Sequence, residues 1–219
     1  MQAKDQHRVI AIDGPAASGK SSVARELARW LNFVYVNSGA MYRAITWSVL
    51  NAGANSTDRN RIVELIGNRS FGGRLADSEF HLLIDDVDLT EHLHEDHVNS
   101  EVPRVSTVPE VREVVVQAVR GCATKNDVVV EGRDIGSVVF PRTPFKFYID
   151  ASPDVRAKRR AAQGHRDEIA RRDHADSSRA ASPLIVAKDA EVIDTSLLTV
   201  DQVVDEILAR LKRKGFAIS

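Results

Sequence analysis

The 219-residue chain sets 30 Lys and Arg against 31 Asp and Glu. The resulting formal net charge of -1 argues against general nucleic-acid binding, though not against a local basic patch. No apolar run approaches the roughly 20 residues of a membrane span, and 43% hydrophobic with 28% charged residues is a soluble, globular composition.

Cys122 is the single cysteine, which excludes an internal disulfide and a cysteine-based metal site. With Met1 to Arg8 too polar for a signal peptide, the chain reads as a cytoplasmic protein in a reducing setting. In chain order, Val9-Ile10-Ala11-Ile12 predicts a buried parallel strand. Gly14-Pro15-Ala16-Ala17-Ser18-Gly19-Lys20-Ser21 follows, and Val23, Leu27, Trp30 and Leu31 then mark the apolar face of a helix over 20–31. Phe33 to Val36 predicts a second strand, after which Ser38 caps a helix continuing to about Asn51. Another helix is predicted over 58–66.

The period changes between Asn68 and Thr90. Strand-like Phe80-His81-Leu82-Leu83-Ile84 and Val87-Asp88-Leu89 are separated by Asp85-Asp86, and Gly72-Gly73 reads as an earlier turn. A small antiparallel insertion is expected there, followed by short helical pieces broken at Pro103. Pro109 suits the first position of a helix running to about Ala123. Strands are then predicted over 127–131, 145–149 and 191–193, and helices over 153–163 and 199–214. The alternation predicts an α/β fold, a doubly wound five-stranded parallel sheet, and the glycine loop after its first strand makes it one of P-loop type. Within a single domain, the core covers 8–67, 107–155 and 182–219, the insertion about 68–106, and a short lid about 156–181.

The G-x-x-x-x-G-K-[ST] pattern after a strand and before a helix is a phosphate cradle. Its glycines let successive N–H groups face one anion, reinforced by the helix N-terminus. The cradle is assigned Gly14, Pro15, Ala16, Ala17, Ser18, Gly19, Lys20, Ser21 and Ser22; Lys20 reaches the β- and γ-phosphates, and the Ser21 hydroxyl suits Mg²⁺.

Three further segments carry groups suited to phosphate or base recognition. Ser38 to Arg43 offers a bidentate guanidinium at Arg43 and a packing ring at Tyr42. Glu131-Gly132-Arg133-Asp134 follows a predicted strand, at the sheet edge where such folds keep their ligands. The third is the basic run Arg156, Lys158, Arg159, Arg160, Arg166, Arg171, Arg172 and Arg179, with Asp173 and Asp176 among it. A charge run is usually a solvated helix face. Here the arginines continue past the helix into a segment with Gly164 and His165, which a bland surface helix does not require and which suits a mobile lid. The histidines form no metal-ligand pattern.

Taken together, these motifs resemble the bacterial cytidylate kinase family over nearly the whole chain. The matching stretches are the glycine loop, Asn37-Ser38-Gly39-Ala40-Met41-Tyr42-Arg43, Pro109-Glu110-Val111-Arg112, Glu131-Gly132-Arg133-Asp134-Ile135-Gly136, and Arg172-Asp173 through Ser177-Ser178-Arg179 to Pro183-Leu184. The resemblance implies transfer of the ATP γ-phosphoryl group onto CMP or dCMP, with Mg²⁺, by a cytoplasmic monomer that binds neither nucleic acid nor membrane.

It further implies that Arg43, Arg133 and Arg179 bind the acceptor phosphate, Arg112 and Asp134 read the cytosine, and Arg172 and Asp176 meet the sugar. Arg156 and Arg160 take the ATP side, and Lys20, Arg133 and Arg179 form the catalytic set. The chain departs from the family at Asn37, where aspartate is common, and at Pro103, where some members place a serine. Its lid between Arg160 and Arg172 is also shorter than usual. Left open by the residues alone are a kinase for another small acceptor and, from a different class, an NTP-dependent switch or nucleic-acid-associated ATPase.

Overall fold

The computed structural model describes residues 7–162, 177 and 184–217. Strands β1 to β8 are Val9–Asp13, Val34–Asn37, Phe71–Ala76, Glu79–Ile84, Val87–Asp88, Val128–Gly132, Lys146–Asp150 and Glu191–Asp194. Helices α1 to α7 are Lys20–Leu31, Ser38–Asn51, Arg59–Gly67, Asp96–Val105, Pro109–Ala123, Pro153–Ala162 and Val200–Arg213. The fold is α/β around a mostly parallel sheet, as the strand–helix alternation predicts. The chain divides into two compact units, Met1–Tyr35 with Asn126–Ser219 and Val36–Lys125.

In the first unit β6, β1, β7 and β8 lie side by side in that order, each adjacent pair parallel. Val34 at the start of β2 donates its N–H to the Asp127 carbonyl at 2.9 Å, beside β6. Alternation along the strands decides what each face meets. Ile10, Ile12, Val129, Phe147, Ile149 and Ile193 form one buried layer with Val23, Leu27, Val203, Ile207 and Leu211 from α1 and α7. Each such side chain contributes roughly 1.5–3 kcal/mol on burial.

Trp30 does not join this layer. It is 58% exposed, and Ala24, Leu27, Ala28 and part of Leu31 cover the face that periodicity assigned to it. Helix α7 opens on a reciprocal capping box between Thr199 and Gln202. A single π-helical turn over Ile135–Val139 follows β6, an element that periodicity does not reveal.

The second unit packs α2 against α3, α4 and α5, with β4 against α2 and β3 against α5. Gly72 and Gly73 are not a turn but lie within β3, paired antiparallel with Leu83 and Leu82 of β4. The reversal falls instead at Asp77 and Ser78, whose φ values of 49° and 60° suit a tight hairpin turn. Gly73 is needed for packing, because a Cβ there would stand 2.4 Å from the Phe80 ring.

Two further expectations are corrected in this unit. Pro103 sits inside α4 without breaking it, since it falls near the last turn and the helix stops at Val105. Ser38 is the first helical residue of α2 rather than its cap; Asn37 caps it, its Oδ1 accepting from the Ala40 N–H at 3.0 Å.

Candidate active site

The glycine loop joins the buried end of β1 to the start of α1 in the first unit. Gly14 tolerates no side chain, because a Cβ would stand 2.1 Å from the Ile149 carbonyl oxygen. Gly19 caps α1 in the left-handed region at φ 92°, and Ala17 is also left-handed at φ 58°. Such reversals of backbone hand turn successive N–H groups into one concavity.

The carbonyls of the loop are held by donors. Lys20 Nζ donates to Pro15 O at 3.2 Å, and Arg156 Nη1 donates to Ala16 O at 3.4 Å. Ser18 O accepts both Thr195 Oγ1 at 2.8 Å and Arg159 Nη1 at 3.2 Å. The Ser18 hydroxyl is fully buried and has no hydrogen-bond partner among the described residues. A loop with its carbonyls engaged, amides at a helix N-terminus and an unspent hydroxyl fits a polyphosphate. Ser21, half-buried one residue beyond Lys20, supplies the hard oxygen that a divalent cation would take.

Helix α6 brings Arg156 and Arg159 to this loop because they lie three residues apart on one face. Arg156 is 7% exposed, and its Nε donates to the Ala151 carbonyl at 3.0 Å. Arg159 also bonds Thr195 twice, Nη1 to Oγ1 at 3.0 Å and Nη2 to the carbonyl at 2.8 Å. Arg160 is half-buried on the same helix, and Ser22 is exposed on the first turn of α1.

The turn after β6 belongs to the same unit. Glu131 is buried and accepts the Tyr35 hydroxyl at 2.6 Å, while Arg133 is half-buried and Asp134 is 5% exposed. The Asp13 carboxylate reaches this turn across the strand ends, accepting from Ile135 N–H at 2.8 Å and Gly136 N–H at 2.7 Å. Burial, only partly offset by those two amides, pushes the Asp13 carboxyl up to about 6.

In the second unit α2 carries Ser38, Tyr42 and Arg43, and α5 carries Arg112. Ser38 and Arg112 are buried, and the Arg112 guanidinium lies 5.7 Å from the centre of the Tyr42 ring. Arg43 Nε donates to Asn99 Oδ1 at 3.1 Å. Gly39 leaves space for both neighbours, since a Cβ would be 3.1 Å from Arg43 Nη1 and 3.2 Å from Asn37 Oδ1. Burial first, then the Arg43 charge, hold the His94 imidazole below its ordinary value.

The structure thus gathers Lys20 and Arg156 around one loop, and Tyr42 and Arg112 as one pair. The expected ligands Arg172, Asp176 and Arg179 lie outside the described residues. Sequence reasoning missed Asp13 and Thr195, and it read Arg159 only as one of the arginines at 156 to 160 on the ATP side. A charged residue ending an apolar strand was a signal for Asp13; Thr195 lies far from the loop in sequence and carried none.

The family described as Cytidylate kinase matches residues 10–213. A protein named Cytidylate kinase from Desulforamulus reducens is 41% identical over 219 residues, covering 95% of this chain and 98% of that protein. Its namesake from Pelotomaculum thermopropionicum is 41% identical, covering 92% of this chain and 95% of its own. Another from Mycobacterium leprae is 41% identical over 96% of this chain and 98% of its own length.

Proposed function

The chain belongs to the cytidylate kinase family, and from that premise we propose that it moves the γ-phosphoryl group of ATP onto CMP and dCMP, yielding ADP with CDP or dCDP. The observation that carries the reading is the donor-held glycine loop, in a chain whose family match runs over residues 10–213. The transfer is direct and in line, without a covalent enzyme intermediate.

Loop amides and Lys20 hold the donor phosphates, together with Ser22, Arg156 and Arg160. Ser21 would hold Mg²⁺, which when bound neutralises phosphate charge. Arg43, Arg133 and Arg179 bind the acceptor phosphate; Lys20, Arg133 and Arg179 balance the charge that develops in transfer. Ser38 and Tyr42 line the acceptor, Arg112 and Asp134 read the cytosine, and Arg172 with Asp176 meets the sugar hydroxyls. An aspartate accepts from the cytosine amino group, and an arginine donates to its ring acceptors.

In this reading residues 68–106 enlarge the monophosphate side of one kinase domain, and residues 156–181 form a short lid that excludes water. The protein works as a cytoplasmic monomer. No helix among the described residues is long and apolar enough to cross a membrane.

A coupled ADP-release assay with CMP, dCMP, UMP, AMP and no acceptor tests the function. Rapid turnover should require CMP or dCMP. Preference for AMP or UMP would assign another acceptor, and equal turnover without any acceptor would leave an ATPase.

A further inference from the structure

Asp13 is a buried carboxylate that the proposed transfer does not use. It is the last residue of β1, immediately before Gly14, and register sets it opposite Gly132 at the end of β6. Its two oxygens take the N–H groups of Ile135 and Gly136, the two residues that follow Asp134. The root of the phosphate loop and the exit of the Arg133-Asp134 turn are therefore tied through one side chain.

We propose that Asp13 is a positioning residue that holds the Arg133-Asp134 turn in register with the phosphate loop, and so sets how the acceptor is presented. This rests on the reading of Arg133 and Asp134 as acceptor ligands. The chemistry favours a carboxylate for the task. Two geminal acceptors match two successive amides, whereas an asparagine offers one acceptor and an alanine none.

The surroundings are built for the approach. Gly136 has no Cβ, and one placed there would stand 3.3 Å from Asp13 Oδ2 and 3.1 Å from Lys146 Cδ. The Lys146 stem forms that wall, and its ammonium is turned to Pro141 O at 2.8 Å and both Asp189 oxygens at 2.7 Å. The charges acting on Asp13 are Asp134, which opposes its ionisation, and Arg133, which favours it. At neutral pH the protein keeps this buried group ionised at a cost to stability, which an apolar residue would avoid.

Kinetics of Asp13→Asn and Asp13→Ala test the role, with thermal melting to show that each variant is folded. A folded Asp13→Asn should lose about tenfold or more in kcat/KM for CMP, the scale of a displaced reacting group. Its KM for ATP should stay within about twofold, because the loop's own donors are untouched, and Asp13→Ala should lose more. Wild-type values for CMP in the variants, or equal losses toward CMP and ATP, would overturn the proposal.

Should neither variant fold, amide exchange in the wild-type protein decides. Adding CMP alone should slow exchange at Ile135 and Gly136 by about tenfold, and unchanged rates would refute the role. A wild-type enzyme inert toward CMP would overturn the acceptor reading itself, and this role with it.

Discussion

Thr195 Oγ1 donates to the carbonyl oxygen of Ser18 at 2.8 Å, joining the residue after β8 to the middle of the phosphate loop. Arg159 shares the same oxygen and also grips Thr195, so a peptide that must not rotate is held from outside by two donors. Replacing Thr195 with valine keeps the volume and removes the hydroxyl. Its bonds to Ser18 O and from Arg159 Nη1 are both lost, at about 0.5–1.5 kcal/mol each. KM for ATP should therefore rise about 5-fold or more, with KM for CMP nearly unchanged. Steady-state kinetics at saturating second substrate checks this, and an unchanged KM for ATP would reduce the contact to a structural one.

Lys20→Ala should fold, because the ammonium contacts the loop at Pro15 O rather than the apolar layer beneath α1. It should nevertheless lose about 10²- to 10³-fold in kcat, the usual effect of removing a preorganised charge contact. A folded variant with near wild-type kcat would sink the phosphate-loop assignment.

Asp134→Asn should weaken CMP selectively, because an amide can present its NH₂ group to the cytosine amino group. Discrimination between CMP and UMP should shrink by roughly 1–3 kcal/mol, the scale of a good polar base contact. Relative kcat/KM for the two acceptors measures it, and an unchanged ratio would move the base reader elsewhere.

The Asp13 carboxyl titrates near 6 in the folded protein, raised by burial from an ordinary value of 3.8. The folded state therefore holds the proton more tightly than the unfolded state. This contribution to stability is present below about pH 4 and is lost as pH rises through about 6. A displacement of this size is worth about 3 kcal/mol. Denaturant unfolding at several pH values should show that loss in the wild type and not in Asp13→Asn. Parallel pH profiles for the two proteins would mean that Asp13 titrates normally.

The alternation of apolar strands with amphipathic helices was legible because burial on both faces of a parallel sheet writes itself into local runs such as Val128-Val129-Val130. The phosphate loop was legible because its motif is local, although only Gly19 is demanded by its own left-handed backbone, while Gly14 answers to the close approach of the distant Ile149 carbonyl. Local rules misled where a distant partner overrode them. Gly72-Gly73 resembles a turn until the Phe80 ring on the paired strand is seen to occupy the missing side-chain space; the cap of α2 at Asn37 rather than Ser38 is instead a local choice between neighbours, settled by the bond from the Ala40 N–H.

By itself the sequence determined the fold class, the position of the phosphate loop and the family motifs, because each depends on residues close together along the chain. Only the tertiary structure decided that Thr195 and Arg159 hold Ser18, and that Asp13 holds the turn after Asp134. Those pairs are 177, 141 and, from Asp13 to Ile135, 122 residues apart. No spacing rule reaches that far; the sheet brings such residues together by placing strand ends side by side, and hydrogen-bond geometry then selects the partners.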